Sequence, residues 1–261
     1  TAQWGPFTST QAVGDYLGST GTAGTTITAP IPLTVKIPNS DWGNLLTTLG
    51  NKNKYVNLDL SDSTLGTTFN PGSANTGEQR IVSLVLPNDA TSIQGSASDS
   101  EPTFRFFTAL KDIGGAYIET IGGRAFRNCP ALMTASFPMA RTIGEFAFTD
   151  CSSLISVSLP QAITLERAVF QRCIALKSVN LSNASVIDYY AFSETGPVEL
   201  TITLGVTPPS FGSNPFADVN TAKTVILKVP SSALTSYQSN TTWKNEFTGG
   251  NSSITLSIQA Y

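Results

Sequence analysis

Three cysteines, Cys129, Cys151 and Cys173, repeat at a step of 22 residues and are the only thiols in this chain of 261 residues. Regularly spaced thiols suggest a disulfide or a metal site. On stacked strands, successive cysteines would lie roughly 5 Å apart. That separation suits a disulfide, but in-register side chains point in parallel, which is poor geometry for bridging. Zinc would need a fourth ligand, usually histidine, and the chain has no histidine. The expectation is therefore a column of reduced, buried thiols packing as small hydrophobes. The lack of histidine also removes the commonest general base and the Ser–His–Asp and Cys–His arrangements. Two carboxylate pairs remain, Asp59 with Asp62 and Asp99 with Glu101. Both read as solvated surface groups, with calcium at Asp99–Glu101 as the alternative. No glycine-rich phosphate loop follows a strand and opens a helix. The chain is expected not to be an enzyme, and to carry no cofactor and no metal.

The cysteines are one column among several. Phe104, Phe126, Phe148, Phe170 and Phe192 keep the same step of 22, as do Leu110, Leu132, Leu154, Leu176 and Val198, and Ile121, Ile143, Leu165 and Ile187. A fixed period of about 20–29 residues with aliphatic anchors marks a leucine-rich-repeat solenoid. Within one coil, Leu154 and Leu159 bracket a short strand. Val157 points inward while Ser156 and Ser158 point outward. Pro160 lacks an N–H and ends the strand. Ala140, Ala162 and Ala184 fall where the coil is narrow. Parallel strands joined this way coil right-handedly. The expected fold is an α/β, right-handed leucine-rich-repeat solenoid capped at both ends. It has a parallel sheet on one face and short helices or irregular turns on the other.

The chain divides into a leader and N-terminal cap (1–50), the repeat array (51–230) and a C-terminal cap (231–261). Residues 8–18 suggest one short helical turn, and Thr20–Thr28 a flexible leader. Residues 29–38 read as a strand with prolines at its edges. Trp42, Leu45, Leu46 and Leu49 share one face at helical spacing. Ser40 or Asp41 is placed to cap that helix, and Gly50 to end it. Rungs follow at 55–60 and 81–87, separated by irregular loops at 62–79 and 88–102. After Phe192 the expected elements are a strand through Leu200, Ile202 and Leu204, then a rung at Val225, Leu227 and Val229. A helical lid follows (Ala233, Leu234, Tyr237, Trp243, Phe247), then a final strand through Ile254, Leu256 and Ile258.

Hydrophobic residues make up 40% of the chain and charged residues only 13%, with a net charge of −3. No basic stripe is present, which argues against nucleic acid as a partner. No apolar run reaches membrane-spanning length. The chain does not open on a charged region followed by an apolar stretch, so a signal peptide is expected either not to exist or to have been cut off. The outward strand positions form the one constellation suited to binding: Asn57, Asp59, Ser83, Thr134, Ser136, Ser156, Ser158, Ser178, Asn180, Thr201 and Thr203. This face is small, polar and nearly uncharged. It suits hydrogen bonding to a protein or a glycan, and equally a simply solvated sheet. It lacks the Trp, Tyr and Arg that dominate binding hot spots.

The string Ile143-Gly144-Glu145-Phe146-Ala147-Phe148-Thr149-Asp150-Cys151-Ser152-Ser153-Leu154, followed by Val157, Leu159 and Pro160, resembles the repeat of BspA-like (Treponema pallidum-type) leucine-rich-repeat proteins. Tyr55–Ser61 resembles the opening of treponemal arrays. The stretch from Val229-Pro230 through Tyr237 to Trp243 resembles their ending. The chain departs from the pattern at Leu165-Glu166 (Ile-Gly expected), Ser182 (Pro) and Thr195 (Cys). The resemblance implies a secreted, periplasmic or cell-surface bacterial protein, spirochete in origin. It implies a non-enzymatic role in adhesion or binding of a host or bacterial surface protein, through the sheet face or loops. The alternatives are a glycan-binding module and a structural, self-assembling cell-envelope protein. The family's repeat carries no catalytic residues to transfer.

Overall fold

The computed structural model describes residues 5–72, 76–98, 104–196, 199–217, 223–248 and 254–261. Val198 and the Asp99–Glu101 pair lie outside the described residues. Each 22-residue step is one coil of a right-handed solenoid. One side is a ten-stranded, all-parallel sheet whose strand order follows the chain from Ile31–Thr34 to Ile254–Ala260. A second side carries a seven-stranded parallel sheet of two-residue strands, from Thr68–Phe69 to Ser210–Phe211. The sequence reading placed only helices or turns there. The strands form because doublets such as Thr142-Ile143 and Thr164-Leu165 recur in register, with the aliphatic member buried and β-branched threonine at its side.

The turn after this second sheet is a third ladder. Backbone N–H groups of Phe146, Phe148 and Asp150 donate to the carbonyls of Arg167, Val169 and Gln171 at 2.9, 2.9 and 3.0 Å. The coils on either side repeat the pattern. Aiming these groups along the axis requires left-handed backbone in two columns. Arg124, Phe146, Ala168 and Tyr190 have φ of 58°, 57°, 54° and 60°, and Asn128, Asp150, Arg172 and Glu194 have 59°, 64°, 56° and 52°. Each such residue costs about 1–2 kcal/mol, offset by the inter-coil hydrogen bonds. Where the repeat carries Glu166 in place of glycine, its carboxylate accepts the Glu145 N–H at 2.9 Å.

The phenylalanine column is a stack of rings along the solenoid axis. Centroids are 4.7 Å apart for Phe104–Phe126, 4.9 Å for Phe126–Phe148, and 5.6 Å for both Phe148–Phe170 and Phe170–Phe192. The stack outruns the strict period. Phe69 joins it from the first irregular loop and Phe216 from beyond Phe192. Trp42 closes one end against Phe69, and Phe247 closes the other against Phe216.

Both caps differ in detail from the expectations. Helix α1 (Thr10–Ser19) is a full helix rather than one turn, and the Ser9 hydroxyl accepts the Ala12 N–H at 3.2 Å. Helix α2 (Trp42–Lys52) buries Trp42, Leu45, Leu46 and Leu49 as expected, but neither Ser40 nor Asp41 caps it with a side chain. A 3-10 turn, Asn39–Asp41, runs straight into it and supplies its first backbone bonds. The helix passes through Gly50 and ends at Asn53, which takes the left-handed conformation at φ 52°, a state asparagine visits readily. Thr20–Thr28 is no free leader. The buried Lys54 ammonium donates to the carbonyls of Gly21 and Ala23, and the Tyr55 N–H donates to Gly24 at 2.7 Å. Lys223 does the same near the other end, donating to Thr195 O at 2.6 Å, Thr195 Oγ1 at 2.8 Å and Gly196 O at 3.1 Å. Its burial pushes the ammonium pKa down to about 8. Helices α3 (Leu234–Ser239) and α4 (Thr241–Thr248) form the lid, and the last strand pairs alongside Lys223–Val229.

Phe148 and Phe170 are fully buried between neighbouring rings. Phe148→Ala or Phe170→Ala is expected to cost about 3–5 kcal/mol in urea unfolding, because adjacent coils hold the hole open. A loss under about 1 kcal/mol would contradict a role for these rings in the core.

Candidate functional site

All eleven outward strand residues fall into two parallel columns on the broad sheet. One column pairs Asn57, Ser83, Asp112, Thr134, Ser156, Ser178 and Thr201. The other pairs Asp59, Val85, Gly114, Ser136, Ser158, Asn180 and Thr203. Sequence reasoning missed Val85, which is apolar, and Asp112 and Gly114, whose register the insertion at 88–102 obscures. Counting back 22 from Thr134 and Ser136 would have found the last two. Several polar groups on this face are already engaged. Thr134 Oγ1 donates to Asp112 at 2.5 Å, Asp59 accepts the Ser61 N–H at 2.9 Å, and Asn180 accepts the Ser182 hydroxyl at 2.6 Å. Asp59 and Asn180 therefore fold back on their own strand ends, leaving the serines and threonines as the available donors and acceptors.

Beside these columns lies a shallow depression of about 460 Å³, lined mainly by Ala131, Met133, Ile155 and Ala175, with Lys111 and two serines at its margin. Met133 and Ile155 immediately precede Thr134 and Ser156, so the depression borders the polar face. The signal in the sequence was a 22-residue column, Lys111, Met133, Ile155 and Lys177, one position ahead of each strand.

The third-ladder turn carries the aromatic and arginine residues that the sheet lacks. The guanidinium carbons of Arg124, Arg127 and Arg167 lie 4.9, 5.8 and 5.3 Å from the Phe146 ring centroid, and Arg167 lies 4.8 Å from Tyr189. Arg124 pairs with Glu145 at 2.7 Å. Arg172 grips Asp150 through two bonds of 2.5 and 2.7 Å, and this hydrogen bonding raises its already high pKa. Arg124, Arg127 and Arg172 thus sit beside carboxylates, and such part-exposed pairs add about 0–1 kcal/mol each. The alternating signs of Asp150, Arg172 and Glu194, again 22 apart, were legible and went unread.

The thiols offer no reactive site. All three are buried and free. Cys151 Sγ donates to the Phe126 carbonyl and Cys173 Sγ to the Phe148 carbonyl, each at 3.0 Å. Burial pushes the Cys129 and Cys173 thiols well above their usual range. Among the described residues, no group of three His, Cys, Asp or Glu side chains could hold a metal. No helix of the described residues is long and apolar enough to cross a membrane.

Stacked coils, a registered polar sheet and an inert interior define a leucine-rich-repeat solenoid, a fold typical of non-catalytic interaction modules. Residues 103–223 match the BspA type leucine-rich-repeat region in six copies, a distant similarity of that stretch to bacterial BspA-type proteins. Among solved structures, a leucine-rich-repeat protein from Bacteroides ovatus ATCC 8483 is 20% identical with a TM-score of 0.48, over 79% of this chain and 46% of that one. The chain thus spans less than half the length of that protein. The pneumococcal vaccine antigen PcpA is 13% identical with a TM-score of 0.40, over 88% of this chain and 67% of that one. Neither is treponemal. No curated protein sequence matches the chain.

The native state holds the Cys129 and Cys173 protons while unfolded thiols ionise near pH 8.5. Their contribution to stability is therefore complete below that pH and is lost as pH rises toward the folded values. Urea unfolding is expected to weaken in alkaline solution, with a shallower decline in Cys129→Ala/Cys173→Ala than in the parent chain. Native thiol labelling should be slow and denaturant should release three labels. Equal alkaline slopes, or rapid native labelling, would contradict this reading.

Proposed function

We propose that this chain is an exported or surface-associated bacterial adhesin or host-protein binder that engages its partner through the broad sheet. The observation that carries the reading is the apolar depression at Met133 and Ile155 bordering the hydroxyl run Thr134, Ser156 and Ser178, with Ser136 and Ser158 in the column beside it. The hydroxyl columns alone lack an anchor. The depression supplies desolvatable surface, and methionine adapts to the shape of what it meets. The serines and threonines around it can satisfy a partner's polar groups without a charge to desolvate. The sparsely charged face favours affinity from shape and hydrogen bonding over electrostatic steering. The BspA-type relationship supports a surface location. A narrower treponemal origin rests only on the Tyr55–Ser61 and Val229–Trp243 segments.

The test is adhesion to immobilised extracellular-matrix proteins, measured alongside thermal stability. Ser156→Glu combined with Ser178→Glu, or Ile155→Glu alone, is expected to weaken adhesion by roughly tenfold or more, about 1.4 kcal/mol, with the melting temperature preserved. Unchanged adhesion in a folded variant would move the site to the loops at 62–79 and 88–98 or to the caps.

A further inference from the structure

The two ends of the ten-stranded sheet are finished differently. At the first strand, Ile31–Thr34, the outer edge is closed. Ile31 and Val35 use their N–H groups toward the next strand, which turns Pro32, Thr34 and Lys36 outward. Pro32 has no N–H to offer. Phe7 lies across the rest of the edge, donating to Thr34 O at 2.9 Å and accepting from Lys36 N at 2.8 Å. These are standard devices for blunting a sheet edge.

The last strand, Ile254–Ala260, has none of them. It pairs only with Lys223–Val229, and among the described residues nothing pairs with its outer side. It is seven residues long, Ile-Thr-Leu-Ser-Ile-Gln-Ala, without charge or proline. Ile254, Leu256 and Ile258 pack on the core yet stay half-buried, whereas Val225, Leu227 and Val229 beside them are fully buried. The Tyr261 N–H donates to Val229 and its carbonyl accepts from Ser231. By the alternation of a strand, Ile254, Leu256, Ile258 and Ala260 turn their backbone groups outward.

We propose that this edge is an interface for a second copy of the chain, joined antiparallel through a two-fold axis at Ser257. The strand's alternation of apolar and polar residues is symmetric under reversal about Ser257. Leu256 then faces Ile258 of the second copy and Ile254 faces Ala260, both as hydrogen-bonded pairs. Thr255 faces Gln259 and Ser257 faces Ser257, with no like charges opposed. Apolar side chains meet on one face and polar ones on the other. The closed edge at Ile31–Thr34 removes the head-to-tail alternative, so the contact ends in a closed dimer rather than a filament. This inference is independent of the sheet-face reading, since it uses the strand edge at the end of the array.

Sedimentation of the full chain across a concentration series should show a species of twice the 27.6 kDa chain mass and nothing larger. Ser257→Lys and Ser257→Asp each place like charges across the axis on the solvent side. Each should weaken dimerisation by roughly tenfold or more, with the melting temperature of the dilute protein retained. An equimolar mixture of the two variants should restore the dimer. Hydrogen exchange on the unmodified chain should show Leu256 and Ile258 amides protected in the dimer and exposed on dilution. A chain that stays monomeric, variants that dimerise undiminished, protection independent of concentration, or assembly growing beyond two copies would each overturn the proposal.

Discussion

A stack of aromatic rings runs along the axis of this solenoid, at centroid spacings of 4.7 to 5.9 Å. Parallel strands lie about 4.7–4.9 Å apart, and the Phe104–Phe126–Phe148 rings sit at 4.7 and 4.9 Å. A ring stack and a hydrogen-bonded ladder can therefore share one repeat, but only if every coil places its phenylalanine at the same phase. That demand explains the strict step of 22 where coils are regular. It also explains why the chain, on breaking the step, still returns Phe69 and Phe216 to the stack. Insertions are accommodated in loops because the rings and rungs are re-registered on either side of them.

Three hydrogen-bonded ladders surround this stack, and the least regular is the most informative. The turn ladder aims three N–H groups per coil toward the next coil and uses left-handed residues to do so. Buried thiols and the threonine that replaces one of them serve the same backbone. Cys151, Cys173 and Thr195 all donate to phenylalanine carbonyls, with Thr195 bonding Phe192 at 2.8 Å. Lys54 and Lys223 extend this device near the two ends of the array, where a carbonyl would otherwise be buried without a donor. Cys151, Cys173, Lys54 and Lys223 are thus committed to backbone carbonyls in other coils.

The surface divides into regions of different character. The broad sheet is hydroxyl-rich and sparsely charged, with an apolar depression at its margin. The turn face is rich in arginine and aromatic rings, and Arg124 and Arg172 are paired with carboxylates within the coil stack. The far edge, Ile254–Ala260, is uncharged and unblunted. A binding role through the first and self-association through the last do not compete for the same residues.

The sequence by itself determined the repeat, the identity of the buried columns and the outward polar positions, because a side chain's phase within a coil is set by counting. It also placed the helix that buries Trp42, Leu45, Leu46 and Leu49, since helical periodicity is a local property. It misplaced the end of that helix, where Asn53 rather than Gly50 adopts the left-handed turn. Gly50 instead lies where Thr76 and Gly77 approach the helix too closely for a side chain. Only the tertiary structure decided the second sheet, whose two-residue strands are too short for any pattern to declare until neighbouring coils pair with them. Only the fold could show that Phe146 gathers three arginines, that Lys223 caps three oxygens, and that one sheet edge is closed by Phe7 while the other stays open. Each of these depends on coils far apart in sequence meeting at a fixed rise, a distance that no local stretch of residues encodes.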